Sequence, residues 1–170
     1  PRQFRRLLAA ASPELLPYVA IAGFAGARRS EILRLTWGKD VWRGEGHIEL
    51  EADKTKGRKR RLVPIQPALA EWLKPYRLKR GAVWTRTGGA FNYAFTRLMS
   101  GCELPGQNLL RHSYASYRLA QTQDAAKVAF EMGNSPEKLF KNYREIVTPQ
   151  QADQWFSITP DEAAENIIAV

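Results

Sequence analysis

The sequence predicts a mainly helical α+β domain with a small antiparallel sheet at one edge. Most of the chain places apolar residues at helical spacing, as Leu110 and Tyr114 do. Two short segments, 47–51 (HIELE) and 61–65 (RLVPI), alternate or are rich in β-formers, and a basic stretch containing Gly57 separates them. We therefore expect one hairpin at the edge of a group of packed helices.

Length and composition favour one domain rather than several. The chain has 170 residues, of which 44% are hydrophobic, which is enough for a sizeable core. Lys and Arg number 26 against 17 acids, and the resulting net charge of +9 is typical of nucleic-acid binders. An anionic membrane surface would also attract this charge, but the chain has no long apolar run and no signal-peptide pattern at its start. We therefore expect a soluble protein of the cytoplasm.

The cysteine and histidine content limits disulfide and metal chemistry. Cys102, the single cysteine, excludes an internal disulfide and a cysteine-based zinc site, and we expect it to pack as a small apolar residue. His47 and His112 are isolated from other metal-ligand residues in the sequence. No cofactor is expected.

The first third of the chain is predicted to form three helices. Residues 2–11 form a basic amphipathic helix that stops near Ser12, and Pro13 suits the first turn of a second helix with Ser12 as its cap. The second helix is apolar on several faces over 15–24, so we expect it at the centre of the core. A short third helix turns Ile32 inward.

Pro, Gly and capping residues delimit the remaining elements. Val83 and Trp84 indicate a short buried strand or turn, and the Gly88–Gly89 pair is expected to be flexible. Gly133 fits the stop of a helix over 124–132, and residues from about 149 to 170 form a helical tail. Further helices are predicted to begin at Pro67, to contain Phe91 and Phe95 up to Gly101, and to begin at Asn108.

Two arginines stand where helices begin, which is a common place for anion binding. Arg28 lies in a G-x-R-x-S-E pattern from Gly26 to Glu31, at the opening of the third helix. Arg111 lies in the entry turn of the helix that begins at Asn108. Alone, each arginine is more often a solvated surface residue than part of a site.

The predicted hairpin carries a dense basic run. Six of the eight residues from 54 to 61 are Lys or Arg, and composition alone leaves open whether they form a solvated loop or an arm that contacts phosphates. The candidates for DNA contact are Lys54, Arg58, Lys59, Arg60 and Arg61.

The spacing of residues 108–143 resembles the catalytic core of the tyrosine recombinases, the phage-integrase family. That family has an HxxR box, a Leu-Gly-His box and a tyrosine nine residues after the second histidine. This chain has Asn108-Leu-Leu-Arg111, then Met132-Gly133-Asn134, and Tyr143 nine residues after Asn134. The arginine and the tyrosine match, whereas both histidines are replaced by asparagine.

The resemblance extends to the earlier basic residues and implies a role for each. Arg28 matches the first catalytic arginine, Glu31 a buried supporting acid, and Lys56 the lysine of the family's hairpin, with Lys54 as a rival. By resemblance, Arg28 and Arg111 hold a DNA phosphate, Tyr143 attacks it and Lys56 protonates the leaving 5′ hydroxyl. Asn108 and Asn134 are left with hydrogen-bonding roles. His112 is a further supporting residue, for which a packing or capping role is expected.

The chemistry explains why such residues are needed. An unperturbed phenol has a pKa of about 10, so ionising it at pH 7 costs roughly 4 kcal/mol unless cations or a base assist. An asparagine amide can donate a hydrogen bond to a phosphate oxygen but cannot pass on a proton, so we expect slowed cleavage.

The resemblance also predicts the domain organisation and the partners. It implies that residues 1–170 form a single catalytic domain of the DNA breaking-rejoining type, without the N-terminal core-binding domain that closes the clamp on DNA. We expect double-stranded DNA as the partner, in a bacterial or phage setting. The resemblance implies a homotetramer in the synaptic complex, and we expect a monomer for the isolated fragment. The C-terminal tail packs either on its own domain or on a neighbouring subunit.

Three other functions remain open at this point. The chain could be a degenerate relative that binds DNA without cutting it, or a type IB topoisomerase that relaxes supercoils. It could also be a helical protein-interaction module in which the basic hairpin is incidental.

Overall fold

The computed structural model describes residues 1–42, 46–51, 60–77, 79–104, 106, 108–137, 139 and 147–161. The helices are α1 (Arg2–Ala10), α2 (Leu16–Ala25), α3 (Arg29–Ile32), α4 (Pro67–Leu73), α5 (Gly88–Gly101), α6 (Leu109–Thr122), α7 (Ala125–Met132) and α8 (Pro149–Phe156). The strands are β1 (Thr36–Trp37), β2 (His47–Leu50), β3 (Arg61–Pro64) and β4 (Gly81–Ala82). A 3-10 turn, Lys74–Tyr76, extends α4.

The strands form two small antiparallel pairs, as the sequence predicts for 47–51 and 61–65. Strand β2 pairs with β3, with His47 opposite Pro64 and Leu50 opposite Arg61. Strand β1 pairs with β4. Isolated bridges from Val41 to Trp37 and to Ile48 connect the two pairs. The predicted fold class, mainly helical with a small antiparallel sheet, is confirmed.

Helix α2 is the central element of the core. All of its residues from Pro17 to Ala25 are buried, and it contacts α1, α3, α4 and α6. An α-helix that is apolar on every face is stable in water only when other elements surround it. The prediction of a central second helix is therefore confirmed, although the helix begins at Leu16 rather than Pro13. The carbonyl of Ser12 instead accepts from the N–H groups of Leu15 and Leu16 in a preceding turn.

An aromatic stack joins α8 to the rest of the core. The Trp155 ring lies between Phe4 and Tyr117, at centroid distances of 4.2 and 4.3 Å, and its Nε1 donates to the carbonyl of Gly23 at 3.1 Å. A Cβ at Gly23 would lie 2.1 Å from the Phe4 ring, so glycine is required for this approach of α1 to α2. The stack fixes α6, which carries Arg111, against α1, α2 and α8.

Most other sequence predictions agree with the structure. Helix α7 has Asp124 as its N-cap and Gly133 at its C-terminus, and Thr148 caps α8. Cys102 is buried with a free thiol. Gly88 and Gly89, however, are not a flexible pair but the first turn of α5, which Thr87 caps. In the described ranges, no helix has the length and apolar character needed to cross a membrane.

Candidate active site

Helix α7 ends in a Schellman motif built on Gly133. Gly133 adopts the left-handed conformation, with φ 60° and ψ 46°. The N–H groups of Gly133 and Asn134 donate to the carbonyls of Phe130 (3.0 Å) and Ala129 (2.9 Å). The carbonyls of residues 131–133 thus lie at the negative end of the helix dipole, where cations are favoured.

The Arg28 side chain donates hydrogen bonds to this helix end. Arg28 is the N-cap residue of α3, and its Nη1 donates to the Met132 carbonyl at 3.2 Å. Its Nη2 donates to the Gly133 carbonyl at 2.9 Å and to Oδ1 of Asn134 at 2.8 Å. The Arg28 side chain is 18% exposed, so part of it is accessible to solvent.

Arg111 meets Arg28 at the same two acceptors. It is the third residue of α6, and its Nη2 donates to the Met132 carbonyl at 2.7 Å and to Oδ1 of Asn134 at 3.3 Å. Its Nη1 donates to the carbonyl of Gly26, at the end of α2. Because the oxygen of the Asn134 amide faces both guanidinium groups, its NH₂ group is directed away from them.

Glu31 lies behind Arg28 and is shared with a third arginine. Its Oε2 accepts from the backbone N–H of Arg28 at 2.6 Å, and its Oε1 accepts from Nη1 of Arg28 at 3.1 Å. Nη1 and Nη2 of Arg61 donate to the two oxygens of the same carboxylate, each at 2.9 Å. The three residues Arg28, Arg61 and Arg111 are called the arginine cluster below.

The charged state of Glu31 follows from its neighbours. Burial alone would raise the pKa of its carboxyl, since Glu31 is only 6% exposed. The hydrogen bonds and charge of Arg61, together with those of Arg28, outweigh burial and hold the pKa below its ordinary value. Glu31 is therefore a carboxylate at neutral pH.

Arg61 corrects one of the sequence predictions. We expected it to contact DNA, but it is 4% exposed, and its Nε donates to the carbonyl of Glu131 at 2.9 Å. The alternation of side chains along β3 could have predicted this burial, because Arg61 lies two residues before Val63 and must face the same side of the strand. Val63 is fully buried, whereas Leu62 between them is 48% exposed.

A second buried ion pair holds α6 against α7. Arg118 donates to Glu131 from Nε (3.0 Å) and from Nη2 (2.8 Å), and the Tyr114 hydroxyl donates to Oε2 of Glu131 at 2.7 Å. Burial, then the charge of Glu131, raises the pKa of Tyr114 well above its usual value, so this phenol stays neutral. The network fixes the helix that carries Arg111 relative to the helix end that Arg111 contacts. Sequence reasoning missed both charged residues, although Arg118 lies four positions after the buried Tyr114, on the same helix face.

The other predicted site residues lie in several settings. Asn108 precedes α6, is exposed and makes no side-chain capping bond. His112 is also exposed, so it does not pack in the core, and the alternative of a capping role stays a prediction. Arg60 is 60% exposed and forms an ion pair with Glu49. Five further candidates lie outside the described residues, namely Lys54, Lys56, Arg58, Lys59 and Tyr143. Within the described part, no group of three or more His, Cys, Asp and Glu is arranged to hold a metal ion.

The geometry suits an anion. The carbonyl and amide oxygens that orient Arg28 and Arg111 are neutral and do not cancel their charge, although Arg28 also meets the Glu31 carboxylate at 3.1 Å. Guanidinium groups bind phosphate oxygens in pairs of N–H donors, which gives fixed geometry as well as charge.

Comparison with known proteins decides the family. No family model matches the chain. The integrase of Escherichia phage 186 is 31% identical over 134 residues, which are 77% of this chain and 37% of that integrase. The chain belongs to the tyrosine recombinase, or phage integrase, family. It spans little more than a third of the length of this integrase.

Solved recombinase structures share the fold of this tyrosine recombinase family member. A XerA recombinase superimposes with a TM-score of 0.66 at 18% identity, over 99% of this chain and 60% of that one. A XerH site-specific recombinase bound to its difH substrate, in a pre-cleavage complex, gives 0.64 at 20% identity, over 92% and 52%. These likenesses support the fold of a tyrosine recombinase catalytic domain.

Proposed function

We propose that this chain is the catalytic domain of a site-specific recombinase that cuts and rejoins DNA through Tyr143. One observation carries the proposal. Arg28 and Arg111, from distant parts of the chain, donate to the same Met132 carbonyl and the same Asn134 oxygen. Two cations held side by side by neutral acceptors form a cradle for one phosphate.

The proposed reaction is a transfer of one phosphodiester bond. The Tyr143 oxygen forms a bond to phosphorus as the phenol gives its proton to solvent water, and the bond from phosphorus to the 5′ oxygen breaks. Lys56 supplies a proton to that leaving oxygen. The 3′-phosphotyrosyl intermediate retains the energy of the bond, so that a 5′ hydroxyl from another strand can reverse the step during strand exchange.

Arg28 and Arg111 act on the charge that develops during this transfer. The pentavalent phosphorus centre concentrates negative charge on its non-bridging oxygens, and guanidinium groups already in place stabilise it without reorganisation. The same cations favour the phenolate of Tyr143 over the phenol. Part of the roughly 4 kcal/mol cost of ionising a phenol at pH 7 is thereby removed.

Asn108 and Asn134 are assigned hydrogen-bonding roles. The NH₂ group of Asn134, directed away from the two arginines, is suited to donate to a phosphate oxygen. Neither amide can act as a general acid or base. We therefore expect cleavage to be slower than with histidines by up to about 10²–10⁴.

DNA is the proposed partner. The basic residues Lys54, Arg58, Lys59 and Arg60 contact the phosphate backbone, so that affinity falls steeply with salt. We also propose that a core-binding domain, outside the 170 residues, closes around DNA in the complete recombinase. Four such subunits assemble for strand exchange.

The replaced histidines favour one rival function. A relative that has lost both proton-transfer residues could bind DNA and leave it uncut. Covalent trapping separates the two functions, because cleavage on nicked DNA leaves the protein attached to a 3′ end that cannot be rejoined.

The test uses a pool of randomised, nicked duplexes at low salt. After denaturation in detergent, we expect a protein–DNA adduct with the wild type and none with the matched variant Tyr143→Phe. The adduct DNA, once sequenced, gives the preferred site. No adduct with the wild type, or an equal adduct with Tyr143→Phe, contradicts the proposal. Relaxation of supercoiled plasmid that lacks the recovered site would favour a topoisomerase.

A further inference from the structure

Glu31 is paired unequally with two arginines. Arg61 binds both carboxylate oxygens, each at 2.9 Å, in a two-pronged arrangement. The Arg28 side chain makes one longer bond, from Nη1 to Oε1, at 3.1 Å. The Arg61 side chain is 3% exposed against 18% for Arg28, so the more accessible cation is the one less strongly paired.

Arg61 is fixed in this position by contacts on its other sides. Its Nε donates to the carbonyl of Glu131, and its guanidinium packs directly against the backbone of Gly133. A Cβ at Gly133 would lie 3.0 Å from Nη1 and 3.1 Å from Cζ of Arg61. Arg61 therefore joins β3 to both α3 and the end of α7.

Glu31 has an orienting effect on Arg28 and an opposing electrostatic one. Its carboxylate accepts from the backbone N–H and from the side chain of Arg28, and so orients that residue. A carboxylate next to a guanidinium also weakens the attraction of that guanidinium for a phosphate. The second effect is reduced if another cation pairs with the carboxylate.

We propose that Arg61 is a positioning residue of the phosphate site, which compensates the charge of Glu31 so that Glu31 orients Arg28 without neutralising it. This inference rests on the proposed function, in which Arg28 binds the scissile phosphate. Arg61 itself touches no DNA. Its role differs from that of an ordinary core ion pair, since its effect on DNA depends on the charge of Glu31.

A pair of substitutions separates the two roles. In Arg61→Met, Arg28 is the remaining member of the arginine cluster that pairs with the Glu31 carboxylate. The double variant Arg61→Met/Glu31→Gln removes the charge of that carboxylate as well. If Arg61 only holds the core together, Arg61→Met destabilises the fold by leaving the Glu31 carboxylate uncompensated, but causes no defect in DNA binding by the protein that remains folded. If Arg61 compensates charge, the second substitution relieves the defect.

The experiment measures two quantities for each variant. One is the single-turnover rate of adduct formation on the duplex recovered from the randomised pool. The other is the affinity for a random-sequence duplex at low salt, measured with Tyr143→Phe in every protein so that cleavage is absent. Arg61→Lys, which keeps the charge, is the matched control, and thermal melting reports folding. Arg61→Gln replaces Arg61→Met if the latter does not fold.

The expected results are specific to charge compensation. Arg61→Met slows adduct formation about tenfold or more and weakens DNA binding about threefold to tenfold, as loss of one effective charge near a phosphate predicts. Arg61→Lys remains within about threefold of the wild type, and Arg61→Met/Glu31→Gln recovers most of the loss in both quantities.

A double variant no better than Arg61→Met, or an Arg61→Met protein equal to the wild type, overturns the inference. A wild type that forms no adduct contradicts the proposed cleavage instead, and the affinity measurement then decides the role of Arg61.

Discussion

Arg28 donates a 2.8 Å hydrogen bond from Nη2 to the side-chain oxygen of Asn134, 106 positions later in the chain. Asn134 stands at the position of the second histidine in the family pattern. Because the same oxygen also accepts from Arg111, the acceptor must be neutral if both arginines are to keep their charge for a phosphate. The asparagine is thus an orienting group as well as a replacement.

Asn134→Asp should separate stability from activity. The carboxylate has the shape of the amide and accepts charge-assisted hydrogen bonds from Arg28 and Arg111, so we expect stabilisation by about 1 kcal/mol. The added negative charge at the phosphate position should slow adduct formation about tenfold or more. Thermal melting and the trapping assay measure the two effects.

The control for this substitution is Asn92→Asp. The Asn92 oxygen also accepts from an arginine, Nη2 of Arg29, but on the exposed face of α5. We expect Asn92→Asp to leave adduct formation within about twofold, since exposed ion pairs contribute little. Wild-type cleavage by Asn134→Asp would contradict the claim that the acceptor shared by Arg28 and Arg111 must be neutral.

Gly133→Ala should reduce stability and cleavage more than an alanine substitution at another glycine with a positive φ angle. The left-handed φ of +60° costs a non-glycine residue about 1 kcal/mol, and the new Cβ would also meet the Arg61 guanidinium at 3.0 Å. We expect destabilisation of about 2 kcal/mol or more and a large loss of adduct formation, measured by urea unfolding and trapping.

Gly106→Ala is the matched control for the backbone term. Gly106 has a φ of +85°, but among the described residues beyond its chain neighbours no atom lies within 4 Å of a Cβ at that position. Gly106→Ala should lower the free energy of unfolding by only the cost of the left-handed backbone, about 1 kcal/mol, and should retain cleavage. Equal losses in the two variants would mean that the contact with Arg61 has no energetic importance.

Glu31 should contribute to stability above the acid range and lose that contribution on acidification. Its folded-state pKa lies below the ordinary value of 4.5, so the folded protein binds this proton less readily than the unfolded chain does. The contribution is present above about pH 4.5 and disappears as the pH falls through the folded-state value. Urea unfolding of wild type and Glu31→Gln should therefore differ most near neutral pH and converge in acid.

An exposed carboxylate provides the comparison for this pH series. Glu71, half exposed and paired with Lys74, is replaced as Glu71→Gln. We expect a change in stability below about 0.5 kcal/mol throughout. A gap between wild type and Glu31→Gln that stays constant from neutral pH into acid would show that ionisation of Glu31 is not involved.

Asn108→His should accelerate cleavage. Asn108 is exposed and makes no capping bond, so we expect a histidine to fit there with little loss of stability. A histidine adds proton-transfer capacity, which is associated with rate factors of about 10²–10⁴, and we expect at least about a tenfold gain. Asn108→Gln is the control without that capacity. Equal trapping rates for the two variants would place Asn108 away from the reacting atoms.

Local sequence patterns were sufficient to predict much of this fold. The buried α2, the caps of α7 and α8 and the β2–β3 hairpin follow from apolar spacing and from Pro, Gly, Asp and Thr at element ends. Element starts were less certain, as the late beginning of α2 shows, because a turn at Ser12 competes with the helix for the same residues.

The partners of buried charges could not be predicted in the same way. The pairing of Arg61 with Glu31 joins residues 30 positions apart, and that of Arg118 with Glu131 joins α6 to α7. The basic run made Arg61 look like Arg60, which is exposed. Strand alternation placed the Arg61 side chain inward, but no sequence pattern indicated which carboxylate it would meet. The places of Arg28 and Arg111 were predicted as helix starts, whereas their common acceptors required the three-dimensional arrangement.

The central claim is that Arg28 and Arg111 hold the same phosphate, and a neutral methylphosphonate placed at one backbone position at a time tests it most directly. On ordinary DNA, Arg28→Ala and Arg111→Ala should each slow adduct formation by about 10²-fold or more. At one position, the cleaved one, the neutral group should remove most of this difference for both variants, because less charge is left to compensate. Relief of the two variants at different positions, or at none, would contradict the account.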